Sequence, residues 1–205
     1  MQYLGIEFSL KNQPRLDGSF IPFGVWERAY LKGAEKPFKI AVEREGGLVS
    51  VFETKLRGPE FAEANYRYAE RFVKMLLWSV GGWKVTLCGD DALAKRMQDE
   101  YREGGKREFD VGFMQDVYER PFEIVLSDEA HFPQAHEQTR KVGGHTNGCR
   151  IGFDAGGSDR KVSAVIDGQT VYSEEVVWHP KTSEDPQYQV DGIVAAFKTA
   201  ASKMP

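Results

Sequence analysis

The chain has 205 residues, 27 basic and 31 acidic side chains, a formal net charge of −4 and 41% hydrophobic residues. That apolar content suits a packed core in one large or two small domains and argues against wholesale disorder. The acidic balance argues against a general nucleic-acid surface, and the longest apolar runs fall far short of the roughly 20 residues of a membrane span.

The first residues, Met1 to Ile6, carry neither a basic leader nor a long apolar stretch, so no signal peptide is expected. Cys88 and Cys149 stand far apart and outside any CxxC spacing. They make no disulfide framework, and the plain reading is a soluble protein of the reducing cytoplasm. Residues 20–31 are rich in aromatics and predict a strand. Phe38, Ile40 and Val42 alternate with polar neighbours, Glu45-Gly46-Gly47 follows, and Val49 and Val51 alternate again, which predicts a hairpin. Pro59 suits a helix start, and Ala69, Phe72, Val73, Leu76, Leu77 and Val80 recur at helical spacing. Gly81-Gly82 ends that helix. Trp83, Val85 and Leu87 predict a strand, Asp90 or Asp91 caps a helix running toward Gly104-Gly105, residues 110–119 suggest another short helix, and residues 122–126 a last strand.

Residues 1–128 thus read as a mixed α/β domain (α+β locally) of order βββαβαβ, without the three-helix pattern of a helix-turn-helix domain. Residues 129–148, polar and glycine-rich, read as a linker or exposed loop. Residues 149–205 restart the pattern: a strand to Asp154, a second over 162–166, the turn Asp167-Gly168, a third over 170–177, and a helix from 190 or 191 to 203 with Ile193, Val194, Phe197 and Ala201 on one face. Three strands and one helix make an incomplete layer, so the chain is expected to be the N-terminal part of a longer protein.

The chemistry is concentrated in Asp154-Ala155-Gly156-Gly157-Ser158-Asp159-Arg160-Lys161. Glycines at a strand reversal let backbone N–H groups come close to phosphate oxygens, where a Cβ would collide. The Ser158 hydroxyl adds a donor, the Lys161 ammonium neutralises charge, and the Asp154 carboxylate suits Mg²⁺ held through water. The alternative is an ordinary hairpin with a glycine-rich turn. Because the glycines join two strands, P-loop and dinucleotide-fold readings fail on context.

Asp154-Ala155-Gly156-Gly157-Ser158 resembles the first phosphate motif of the actin-like superfamily of sugar kinases, actin and heat-shock ATPases. It is most similar to the ROK group of repressors and sugar kinases, whose usual form is Asp-x-Gly-Gly-Thr. Ser158 stands where Thr is usual and keeps the hydroxyl; Asp159 stands where Lys usually follows; Lys161 lies seven residues after Asp154, the spacing seen in actin. The resemblance covers residues 149–203. It implies two ribonuclease-H-like lobes with ATP and Mg²⁺ in the cleft. Gly156, Gly157, Ser158 and Lys161 would then meet phosphate, and Asp154 would hold Mg²⁺ through water. The implied reaction is phosphoryl transfer to a sugar hydroxyl. The catalytic Asp, sugar contacts and zinc-binding His/Cys cluster of that group lie downstream of these hairpins, so the catalytic residues are unknown and no ATP turnover is expected of this chain. The second reading is a non-catalytic regulatory or assembly module that keeps the fold. A homo-oligomer is compatible with either.

The element order of the first domain suggests either a degenerate ribonuclease-H-like half, which requires strand order 3-2-1-4-5, or a generic α+β domain. His131, His136 and His145 with Cys149 fit no zinc spacing and read as solvated. Trp26, Trp78 and Trp83 read as core rather than as a sugar platform, Trp178 as cover for a sheet edge, and Glu174-Glu175 as a solvated face.

Overall fold

The computed structural model describes residues 1–139 and 142–205. They form two compact units, Met1–Thr139 and Arg140–Pro205. The chain is mixed α/β.

The first unit opens with a two-residue-by-two-residue hairpin, β1 (Gln2–Tyr3) and β2 (Ile6–Glu7), turned by Leu4 and Gly5 at positive φ. Helix α1 (Phe23–Leu31) follows. This corrects the strand expected over 20–31. Phe23, Trp26 and Tyr30 recur at three and four residues, and that period places Trp26 and Tyr30 in the core. Aromatic content suggested a strand, but the spacing of the rings decides the element.

A four-stranded sheet is built from β3 (Lys36–Glu43), β4 (Val49–Leu56), β5 (Lys84–Cys88) and β6 (Glu123–Leu126), in the order β4-β3-β5-β6. β3 is antiparallel to both neighbours, and β5 is parallel to β6. The sheet is therefore mixed and four-stranded. The order 3-2-1-4-5 that the ribonuclease-H-like suggestion for this unit requires does not appear, and the predicted order βββαβαβ loses one strand to α1.

Against the sheet packs α2 (Ala62–Ser79), preceded by a short 3₁₀ turn that Pro59 begins. Its stripe of Ala69, Val73, Leu76 and Leu77 is buried in one cluster with Ile40 and Val42 of β3 and Val85 and Leu87 of β5. Burying each of these larger side chains contributes about 1.5–3 kcal/mol. Gly81, at φ 77°, ends the helix in a conformation that disfavours a Cβ. Asn65 ties the layers together. It accepts from Tyr30 Oη at 2.6 Å and from Arg57 N at 3.0 Å, and donates to Arg57 O at 2.9 Å.

Helix α3 (Asp91–Glu100) is capped by Asp90, whose Oδ1 accepts from Leu93 N at 2.9 Å. Helix α4 (Glu108–Tyr118) joins α2 through a buried ionic network. Glu70, 1% exposed, meets Arg107; Asp110, 2% exposed, accepts from Trp78 Nε1 at 2.7 Å and Lys74 Nζ at 3.1 Å. Residues 129–137 belong to this unit. Glu129 pairs with Lys39, His136 bridges Val49 backbone to backbone, and Glu137 pairs with Arg44 at 2.6 Å.

The second unit is an antiparallel meander, β7 (Cys149–Ala155), β8 (Asp159–Ile166) and β9 (Gln169–Val177), with α5 (Pro186–Ala201) on one face. The expected α5 start at 190 or 191 falls four or five residues late. Asp185 accepts from Gln187 N at 2.9 Å and Pro186 occupies the first turn, where its missing N–H costs nothing. The buried face of α5 is also not the one expected. Ala196 and Ala200 pack on Val162 and Ala164, while Val194 and Phe197 stay 43% and 40% exposed.

Candidate functional site

The β7–β8 reversal brings together Asp154, Gly156, Gly157, Ser158 and Lys161, the five residues of the sequence-predicted site. β7 ends at Ala155, β8 begins at Asp159, and Gly156, Gly157 and Ser158 form the turn. Asp154 lies opposite Lys161 in register, and Lys161 lies opposite Glu175 of β9. Alternation fixes the face. Val162 and Ala164 point to α5, so Lys161 and its cross-strand neighbours project from the other side of the sheet. Asp154, Gly157, Ser158 and Lys161 are exposed, and Gly156 is half-buried.

Neither glycine takes a positive φ. Gly156 is required by close approach instead: a Cβ there would stand 2.5 Å from Asp159 O. The turn is braced from outside by Trp178, which is buried. Its Nε1 donates to Gly156 O at 2.7 Å and its backbone N to Ser158 O at 3.1 Å. With the turn's carbonyls held this way, the N–H groups of Gly156, Gly157 and Ser158 find no acceptor among the described residues. These three donors sit at an exposed turn and are open to solvent or to a ligand.

The electrostatics are divided. Lys161 Nζ donates to Asp159 Oδ1 at 2.9 Å, and Ser158 Oγ donates to Asp159 Oδ2 at 3.3 Å. The Lys161 hydrogen bond holds the Asp159 carboxyl below the usual carboxylate range, and the same bond pushes the Lys161 ammonium up. Asp159 thus occupies both side-chain donors of the turn. A further cation compensates. A Cβ on Gly157 would lie 2.8 Å from Lys181 Cε and 3.1 Å from its Nζ, so Lys181 reaches the turn from the segment after β9. Sequence reasoning passed over Lys181, because only the return of the chain past Trp178 brings it to a turn more than twenty residues away.

The other candidates do not assemble into a site. His131 Nδ1 meets Asp128 at 2.8 Å, His136 Nδ1 meets Gly47 O at 2.9 Å, and the His145 carbonyl accepts from Arg150. Among the described residues no group of three or more His, Cys, Asp or Glu could hold a metal ion. Glu175 lies 3.9 Å from Lys161 on the exposed face. Trp26 is buried as expected, but Trp78 is 47% exposed, which corrects its assignment to the core. No helix of the described residues is long and apolar enough to cross a membrane.

In comparison with known proteins, no family model matches the chain and no curated protein matches it significantly.

Proposed function

We propose that the β7–β8 turn is the first phosphate-binding hairpin of an ATP-binding, sugar-kinase-like protein of the actin-like, ROK-type kind. In this reading the second unit begins a ribonuclease-H-like lobe, and residues outside these 205 supply the rest of the nucleotide and sugar site. The observation that carries the reading is the turn at Gly156-Gly157-Ser158, which begins one residue beyond Asp154 and whose three N–H donors meet no acceptor among the described residues.

The chain's own groups then act by position and charge rather than by covalent chemistry. The turn N–H groups grip phosphate oxygens, and Lys181 and Lys161 offset their charge. Asp154 supplies a hard oxygen ligand that fits Mg²⁺ held through water, with the phosphates providing further oxygens. Bound Mg²⁺ would neutralise charge on the phosphates. Lys161 and Ser158 engage phosphate only by leaving Asp159.

That exchange favours a second reading, a regulatory or assembly module in which Asp159 replaces the phosphate as partner of Ser158 and Lys161. Equilibrium titration of the chain with ATP, with and without Mg²⁺, separates the two. The kinase-like reading predicts weak, Mg²⁺-dependent binding near about 1 mM, roughly 4 kcal/mol, and its loss in Asp154→Ala. Identical behaviour of the wild-type and Asp154→Ala chains supports the module. Sustained ATP hydrolysis by this chain would contradict the proposal that the remaining catalytic groups lie elsewhere.

A further inference from the structure

The first unit leaves an apolar surface uncovered on α2 and α4. Phe109 and Phe113 stand one turn apart on α4, 71% and 42% exposed, and both stack on Trp78 of α2, with ring centroids 6.2 and 4.8 Å away. Trp78 is also a wall of a groove of about 840 Å³ that continues past Met75 to Phe20 and Phe23. Exposed aromatics that stack on each other and run into a groove mark an interaction surface rather than scattered surface residues.

The charges on this groove select among partners. Arg67, Arg71 and Lys74 line it, spaced four and three residues along α2, so three cations recur at roughly one-turn intervals over about 10 Å. The buried carboxylates beneath them are shared. Glu70 pairs with Arg107 and lies 3.8 and 3.7 Å from Arg67 and Arg71, and Asp110 lies 3.1 Å from Lys74 and 3.9 Å from Arg107. Glu27, across the groove on α1, makes no ion pair among the described residues, and burial pushes its carboxyl up. Four cations, Arg67, Arg71, Lys74 and Arg107, therefore face three carboxylates, Glu27, Glu70 and Asp110. A small anion would engage one or two cations and leave the α4 aromatics bare.

We propose that this surface docks an amphipathic helix of a partner protein. Its apolar face would meet Trp78, Met75 and Phe113, and carboxylates one turn apart would meet Arg67, Arg71 and Lys74. Helix-in-groove recognition uses this combination of apolar anchors at helical spacing with a charged flank that sets orientation. The proposal stands apart from the phosphate hairpin, which lies in the other unit.

The test uses the full chain and two labelled synthetic peptides of about 16 residues. Both carry leucines on one face; one carries glutamates one turn apart on the flank, the other lysines in their place. Anisotropy at low salt is expected to show the glutamate peptide binding at least about tenfold tighter than the lysine peptide. Arg71→Glu should reverse or abolish that preference. Phe113→Ser, at an exposed side chain whose loss leaves the core intact, should weaken the glutamate peptide about tenfold. Equal binding of the two peptides, or binding of neither, overturns the proposal. So does sedimentation showing a dimer that Phe113→Ser dissolves, which would give the surface to a second copy.

Discussion

Asp159 governs the polar groups of the β7–β8 turn, since its two oxygens hold the Lys161 ammonium and the Ser158 hydroxyl, and on the proposed reading it competes with phosphate. Removing it in Asp159→Ala frees both donors and one negative charge. Inorganic triphosphate should then bind several-fold tighter, read by ³¹P NMR, whereas Lys161→Ala should weaken it. An unchanged affinity in both variants would mean that the turn donors alone carry the site. Asp90 is the corresponding residue for stability. Burial opposes its charge, but the Leu93 N–H and the Lys36 ammonium at 2.9 Å outweigh burial and hold the carboxyl below its usual range. A carboxyl lowered on folding stabilises the fold fully above the unfolded value near about 3.9, and that contribution is lost as pH falls through the lower folded value. Asp90→Ala should cost about 1 kcal/mol in urea unfolding at neutral pH and little at the acid end of that window. The cap was legible in the sequence because Asp-Asp precedes an apolar repeat. The occupation of Lys161 by Asp159 was not legible, since which of two nearby charges a side chain chooses depends on the strand register that sets them side by side.

At the level of elements, the joint between α2 and α4 rests on carboxylates rather than on apolar packing alone. Glu70 and Asp110 are each shielded from water and each shared among cations. Removing one side of such a network leaves uncompensated buried charge, so Glu70→Ala should cost about 3–5 kcal/mol in urea unfolding. A loss under about 1 kcal/mol would show that solvent reaches the cluster and screens it. The hairpin of β3 and β4, the stripe of α2 and the β7–β8 reversal were all legible, because each carries one clear period and a glycine-rich end. α1 was not, because Phe23, Trp26 and Tyr30 have strand-forming side chains at helical spacing, and composition outweighed period. The start of α5 was missed because its first turn is polar. Only the Asp185–Pro186 pair marks it. The buried face of α5 went wrong because large residues were taken as the inner ones, while Ala196 and Ala200 are the α5 side chains buried against Val162 and Ala164 and Phe197 meets Phe153 from a partly exposed position.

For the whole molecule, the two units differ in what holds them. The first buries an extended cluster that includes Trp26, Tyr30, Phe38, Leu77 and Met97, whereas the second is centred on Val162, Ala164, Ala196 and Ala200. Alanines remove little apolar surface from water, so the second unit should be the less stable one. Native-state hydrogen exchange should give lower protection in β7–β9 and α5 than in β3, β5 and α2, with two opening free energies rather than one. Uniform protection across both would show that they unfold as a single cooperative body. The phosphate reading concerns the second unit, and it is tested most directly at the turn itself. Amide NMR shifts should be followed as inorganic triphosphate and Mg²⁺ are added to the chain. The account predicts saturable shifts centred on Gly156, Gly157 and Ser158, strengthened by Mg²⁺ only while Asp154 is present. Shifts absent from these three amides, or equal in Asp154→Ala with and without the metal, would contradict it.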